Sequence, residues 1–138
     1  ALDDARNGRW PAREFEAWSA SYRAAGGTGD FASWFSADGN EIVIDASLRQ
    51  AVEFNRHNLA TDDVFMEAQF IVCRNVLIYF DNTLQTRVLE LFSRSLQRGG
   101  YLLLGRAESI SETDGAPPRF QRLEGDNVYR RTAGGRHV

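Results

Sequence analysis

Apolar and polar positions change period several times along this chain. Ala1 to Trp10, rich in Ala, Leu, Asp and Arg, is predicted as a helix, with Gly8 and Pro11 punctuating its end. A second helix is predicted from about Ala12 to Ala25, where Phe15, Trp18 and Tyr22 recur at helical spacing and Gly26, Gly27 and Gly29 then break the pattern. That aromatic stripe reads as core in preference to a ligand site. The next segment is strand-like. Asp38-Gly39-Asn40 is a turn signal and Ile42-Val43-Ile44 a β-branched run, so a small antiparallel β unit is predicted over about residues 31–50. Ala51 to Phe54 reads as a core strand following it.

The strongest core signal lies further on. Phe70-Ile71-Val72-Cys73 is continuously apolar, as expected of a strand buried on both faces of a parallel sheet. Arg74 and Asn75 interrupt it, and Val76 to Phe80 is apolar again. Asp81-Asn82-Thr83 offers a helix N-cap, and Val88, Leu89, Leu91, Phe92 and Leu96 mark an amphipathic helix that Gly99-Gly100 should end. Tyr101 to Leu104 reads as a second buried strand. Phe120 to Leu123 and Val128 to Arg130 read as a closing hairpin around Gly125-Asp126-Asn127, with a loose polar tail from Thr132. Strand, helix, strand and hairpin make an α/β arrangement. Ligands of open α/β sheets sit beyond the carboxyl ends of the strands, where the Arg74-Asn75 break falls.

Composition narrows the classes. A chain of 138 residues supports one hydrophobic core, and 43% hydrophobic with 25% charged residues is ordinary for a soluble globular protein. A net charge of -3 gives no general attraction to nucleic acid or anionic membrane, although a local basic patch stays open. The single cysteine, Cys73, excludes an internal disulfide and a Cys-based zinc site, and fits a reducing compartment. No apolar run approaches the ~20 residues of a membrane span, and no signal peptide is visible. The start at Ala1, inside a helical stretch and without an initiator Met, is expected of a fragment of a longer protein.

Arg74 and Asn75 carry the candidate chemistry. Polar groups directly after four apolar residues must be paired or face solvent, because unmatched burial is costly. From polarity alone, a helix cap with a surface ion pair and a ligand-facing pair are equally good readings. The string Cys73-Arg74-Asn75-Val76-Leu77-Ile78-Tyr79-Phe80-Asp81 closely resembles the signature of the CheR methyltransferase family. Ala1-Leu2-Asp3-Asp4-Ala5-Arg6-Asn7-Gly8-Arg9-Trp10-Pro11 is similar to the family's helical opening. Leu48-Arg49, Val52, Phe54 and His57-Asn58-Leu59 resemble the segment before the signature. Arg98-Gly99-Gly100-Tyr101-Leu102 with Gly105, and Val128-Tyr129-Arg130, resemble later strands.

The resemblance implies an α/β fold: a Rossmann-like methyltransferase sheet, partial and lacking the first strands, with a small inserted antiparallel β-subdomain at about 31–50 and a C-terminal β-hairpin. On that reading residues 1–138 are the C-terminal part of a CheR-type methyltransferase domain. It implies a cytoplasmic protein-glutamate O-methyltransferase that uses S-adenosyl-L-methionine, releases S-adenosyl-L-homocysteine and methylates chemoreceptor glutamates in chemotaxis signalling. The implied partners are the cytoplasmic domain of a chemoreceptor and a receptor-tail peptide added as a strand to the β-subdomain, without nucleic acid, membrane insertion or a metal. Asn58, Leu59, Cys73, Arg74 and Asn75 look like cofactor-lining residues, with Asn58 and Leu59 on the adenine side. Tyr79 and Arg74 look like the catalytic pair, Tyr79 near the transferred methyl and the substrate carboxylate.

The chemistry suits these residue types. A glutamate carboxylate is ionised near neutral pH and needs alignment with the methyl, not a strong base. A Tyr hydroxyl and an Arg can orient it. His57 reads as structural or cofactor-side, His137 as idle, and Cys73 as a small hydrophobe. The family's Gly-rich loop, the acidic ribose ligand and the helical N-terminal domain do not occur in the chain. The fragment alone is therefore expected to be inactive and to require its missing half, a swapped partner or a larger assembly. The family's Gly-His-Ser-Glu reads Gly105-Arg106-Ala107-Glu108 here, and its Phe-Asp before the buried strand reads Ala68-Gln69. These departures keep a non-catalytic methyltransferase-like binding or signalling module as the alternative.

Overall fold

The structure, a computed structural model, describes residues 2–64, 66–110, 119–125 and 127–132. The chain forms two compact units, Ala1–Arg56 and His57–Val138.

In the first unit, helix α1 (Leu2–Asn7) stops at Gly8, and the chain turns extended as strand β1 (Arg9–Pro11). The predicted helix is thus shorter than Ala1 to Trp10. Gly8 sits at φ +61, and a Cβ there would lie 2.8 Å from a methyl of Ile44. Left-handed backbone and close approach both favour glycine. A single 3-10 turn leads into α2 (Phe15–Ala24). Its aromatic stripe is core, as expected. Phe15, Trp18 and Tyr22 pack against Trp10, Phe31 and Phe35 with ring centroids 5.1–6.4 Å apart.

The predicted β unit is a hairpin, β2 (Phe35–Asp38) and β3 (Glu41–Ile44), turning through Gly39 at φ +60. Strand β1 joins it on the far side of β3, so the antiparallel order is β1-β3-β2. The Arg9 guanidinium ties this sheet by pairing with Asp38 and, at 2.9 Å, with Glu41. Ala51 to Phe54 is not a strand. Asp45 accepts a hydrogen bond from the Ser47 N–H at 2.8 Å and caps a short helix, α3 (Ala46–Gln50). The chain then runs irregularly with Val52 exposed. Three apolar residues with no sheet face to cover do not make a strand.

The second unit is a β-α-β element closed by a hairpin: β4 (Ala68–Cys73), α4 (Asn82–Ser95), β5 (Leu96–Leu104), β6 (Phe120–Arg122) and β7 (Val128–Arg131). The sheet order is β4-β5-β7-β6, with β4 and β5 parallel and the remaining pairs antiparallel, a mixed sheet in a mixed α/β unit. Asp81 caps α4 as predicted, accepting from the Leu84 N–H at 2.8 Å. Val88 and Phe92 of α4 bury against Cys73, Leu96, Leu102, Leu104 and Tyr129. The closing hairpin forms in register, with Arg122 opposite Tyr129. Asp126 of its turn, the tail after Thr132 and His137 lie outside the described residues.

Two expectations change. The helix ends at Ser95, not at Gly99-Gly100, and the glycines shape a bulge in β5 instead. Pairing jumps from Ala68 opposite Leu96 to Phe70 opposite Tyr101. Gly99 takes φ +77 within that bulge, and a Cβ on Gly100 would lie 2.9 Å from the Gln69 carbonyl. Strand β4, moreover, is buried on one face only. Ile71 and Cys73 turn toward the α4 core, whereas Phe70 and Val72 are 51% and 59% exposed. Among the described strands β4 is one edge of the sheet, and α4 packs on one of its faces. An unbroken apolar run cannot distinguish that from burial on both. Among the described residues, no helix is long and apolar enough to cross a membrane.

Candidate functional site

The parallel strands β4 and β5 end side by side, Cys73 opposite Leu104. Both then enter turns. Asn75 adopts φ +58, a left-handed conformation that Asn tolerates better than most residues. This turn aims three successive backbone N–H groups, of Asn75, Val76 and Leu77, into the protein. They converge on one side chain. Oε2 of Glu108 accepts from Asn75 at 2.8 Å, and Oε1 accepts from Val76 at 2.8 Å and Leu77 at 2.7 Å. The Gly105 N–H, at the end of β5, donates to Oε2 at 2.6 Å. One carboxylate therefore clamps the turn after β4 to the turn after β5.

Glu108 is only 4% exposed. Burial alone would raise its pKa, and it is the largest single influence. The bonds from Asn75, Gly105, Val76 and Leu77 together outweigh it, so the pKa is lowered and the carboxylate stays charged. Gly105 makes the arrangement possible, since a Cβ there would lie 2.5 Å from Glu108 Oε2 and 3.0 Å from the Asn75 nitrogen. Asn127 of the closing hairpin fixes the second turn, its amide donating to the carbonyls of Gly105 at 2.6 Å and Glu108 at 2.9 Å.

Cys73, Arg74 and Asn75 are together at this strand end. Cys73 is buried, and desolvation first, then the Glu108 charge, push its thiol pKa up to about 11. It is an apolar packing group. Arg74 and Asn75 have exposed side chains, because the main chain of the turn satisfies the clamp. Tyr79 lies in the 3-10 turn Leu77–Tyr79 and is 78% exposed. Leu59 packs against the same core as Cys73 and Leu77.

Asn58 serves its own loop. Its Oδ1 accepts from the Ala60 N–H at 3.0 Å, and its N–H donates to Asp62 at 2.8 Å. His57 lies 3.6 Å from the same carboxylate. That loop is strapped along α4 by Arg87 donating to the Thr61 carbonyl at 3.2 Å and by an Arg94–Asp63 ion pair at 2.6 Å.

The sequence placed Gly105 and Glu108 in a family motif and Asn127 in a hairpin turn, but assigned none of them to the site. The available signal was a carboxylate three residues after a strand-ending glycine.

Arg74 and Asn75 present groups able to bind a polar ligand at this strand end. A guanidinium can hold a carboxylate, and an amide can both donate and accept. The clamp fixes their backbone without consuming either side chain. Among the described residues, no group of three or more His, Cys, Asp or Glu is placed to hold a metal.

Residues 1–127 match the family described as CheR methyltransferase, SAM binding domain. The chain is 46% identical over 110 residues to Cher3, a candidate methyltransferase of Pseudomonas putida, covering 80% of this chain and 40% of that protein. It is 37% identical over 133 residues to chemotaxis protein methyltransferase 2 of Pseudomonas aeruginosa, covering 93% of this chain and 44% of the relative. A chemotaxis protein methyltransferase of Listeria innocua is 41% identical over 78 residues, 56% of this chain and 30% of the relative. The chain thus spans under half the length of these curated relatives. On the match over residues 1–127, it belongs to the CheR methyltransferase family, as a part of the domain whose cofactor is S-adenosylmethionine.

Proposed function

We propose that the protein carrying this chain is a cytoplasmic protein-glutamate O-methyltransferase that acts on chemoreceptors in chemotaxis signalling. The observation that carries this reading is the Glu108 clamp, which presents Arg74 and Asn75 outward at the carboxyl end of β4. When bound, S-adenosylmethionine supplies an electrophilic methyl group and becomes S-adenosylhomocysteine.

The residues of this chain bind and orient. Asn58, Leu59, Cys73, Arg74 and Asn75 line the cofactor side, Leu59 and Cys73 through their apolar bodies. Tyr79, with its ring in solvent, reaches toward the incoming glutamate carboxylate, and Arg74 helps to align it. That carboxylate arrives ionised, so no residue has to remove a proton.

β4, α4 and β5 form part of a Rossmann-like sheet whose first strands lie outside this chain. The exposed faces of Phe70 and Val72 support that division. The chain alone is then inactive and unfolds without a single cooperative transition; a sharp two-state melt of the isolated 138-residue chain would overturn this point. The edge strand β2 offers free backbone groups for a receptor-tail peptide.

One observation favours a second reading, a non-catalytic module. Arg106 and Ala107 stand where the family has His and Ser, and both are exposed beside the clamp. Calorimetry of the full-length protein with S-adenosylmethionine separates the two, in combination with a methyl-transfer assay on receptor protein. Binding with transfer is expected. Binding without transfer would establish the module, and no binding would remove both the cofactor site and the enzyme.

A further inference from the structure

A cavity of about 230 Å³ opens at the other end of the second unit's sheet, lined by Ser93, Arg94, Arg119, Arg131 and Thr132. Its placement follows from topology. Ser93 and Arg94 lie in the last turn of α4, directly before Leu96 starts β5, while Arg119 precedes β6 and Arg131 ends β7. The Arg131 guanidinium donates to the Leu96 carbonyl, fixing one wall. The Thr132 N–H donates to the Arg119 carbonyl at 2.8 Å, fixing another. Leu96 and Leu104 are opposite ends of β5, so this cavity and the Glu108 clamp occupy opposite ends of the sheet.

Among the described residues, three arginines and two hydroxyl residues line this cavity, with no carboxylate. Arg94 is neutralised outside the cavity by Asp63. Arg119 and Arg131 have no carboxylate partner among the described residues, and Arg131 is held by a backbone carbonyl. Ser93, only 2% exposed, adds a hydroxyl residue to the wall between these cations. A hydroxyl beside two guanidiniums makes a wall of hydrogen-bond donors suited to an anion.

The geometry points to a binding site for a phosphate group in this cavity. The two guanidiniums of Arg119 and Arg131 match the ~1.5–2 negative charges of a phosphate monoester near pH 7, and a phosphate's oxygens can each take a guanidinium or hydroxyl donor. The volume is below the ~300–1,000 Å³ usual for whole drug-sized ligands, so a phosphate alone or the phosphate end of a small molecule fits it.

Calorimetry of the full-length protein at constant ionic strength tests this, with inorganic phosphate and adenosine monophosphate as probes and chloride as the reference. Saturable phosphate binding is expected, at least tenfold weaker in both Arg119→Gln and Ser93→Ala. Neither substitution should alter S-adenosylmethionine binding, so failure here leaves the cofactor reading untouched. Tighter binding of the nucleotide than of inorganic phosphate would assign a phosphorylated small molecule, and the reverse order the free ion. Phosphate heats no different from chloride, or wild-type affinity in both variants, would overturn the site.

Discussion

Replacing Glu108 by Gln keeps the side chain's shape and removes half of what it does. The amide retains one oxygen, enough for two of the four bonds. Its other end becomes an NH₂ group facing two N–H donors, either the Asn75–Gly105 pair or the Val76–Leu77 pair. A hydrogen bond to a charged group contributes about 1.5–3 kcal/mol, so two lost bonds total about 3–6 kcal/mol. Relief of the buried charge offsets part of that, leaving a net loss of about 2–4 kcal/mol. Hydrogen exchange reads the effect at its source. Amides 75, 76, 77 and 105 should exchange about 30- to 1,000-fold faster at tenfold per 1.4 kcal/mol, while the buried centre of α4 serves as the internal reference. The sign of the pH dependence follows from the lowered pKa. The clamp's contribution is complete above the unfolded carboxylate value of about 4.3 and is withdrawn as pH falls through the folded-state value. Glu108→Gln should therefore flatten the acid limb of the stability profile. Protection of the four amides unchanged to within twofold would refute the clamp as the determinant of the turn.

Gly105→Ala should destabilise the same turn by about 1–3 kcal/mol, because the added methyl meets Glu108 Oε2 at 2.5 Å and the neighbouring strand end cannot retreat freely; thermal melts of the full-length protein check it. Tyr79→Phe should lower methyl transfer while leaving S-adenosylmethionine affinity within about twofold, and an unchanged turnover would remove its assigned role. Cys73, buried and with its pKa near 11, should resist a thiol reagent at pH 8 in the native protein and react promptly in denaturant. Rapid native labelling would contradict its place in the core.

The parts legible in the sequence were those with a local cause. Asp81 caps α4, Gly39 turns the first hairpin, and the aromatic stripe of α2 packs inward, each for reasons visible within a few residues. The errors came from non-local competition. Gly99-Gly100 has the chemistry of a helix stop, but the pairing of Leu96 with Ala68 draws the chain into a strand four residues earlier. Phe70 to Cys73 reads as doubly buried because apolarity records what a strand tolerates, not how many layers cover it. In the candidate site, Arg74 and Asn75 were visible as a polar break. Glu108 was visible only as a motif letter without a role, since three of its four partners are backbone groups 31 to 33 residues away that no side-chain pattern announces.

Every bond that Glu108 accepts comes from the main chain, so the hydrogen bonds themselves name no side chain at 75, 76 and 77, although the left-handed φ at 75 favours Asn or Gly and Leu77 is held in the core. Only proline, which has no N–H to give, is barred there on hydrogen-bonding grounds. Evolution or a designer can exchange the outward-facing groups at this strand end, retuning what they recognise, without having to reinvent the loop that displays them.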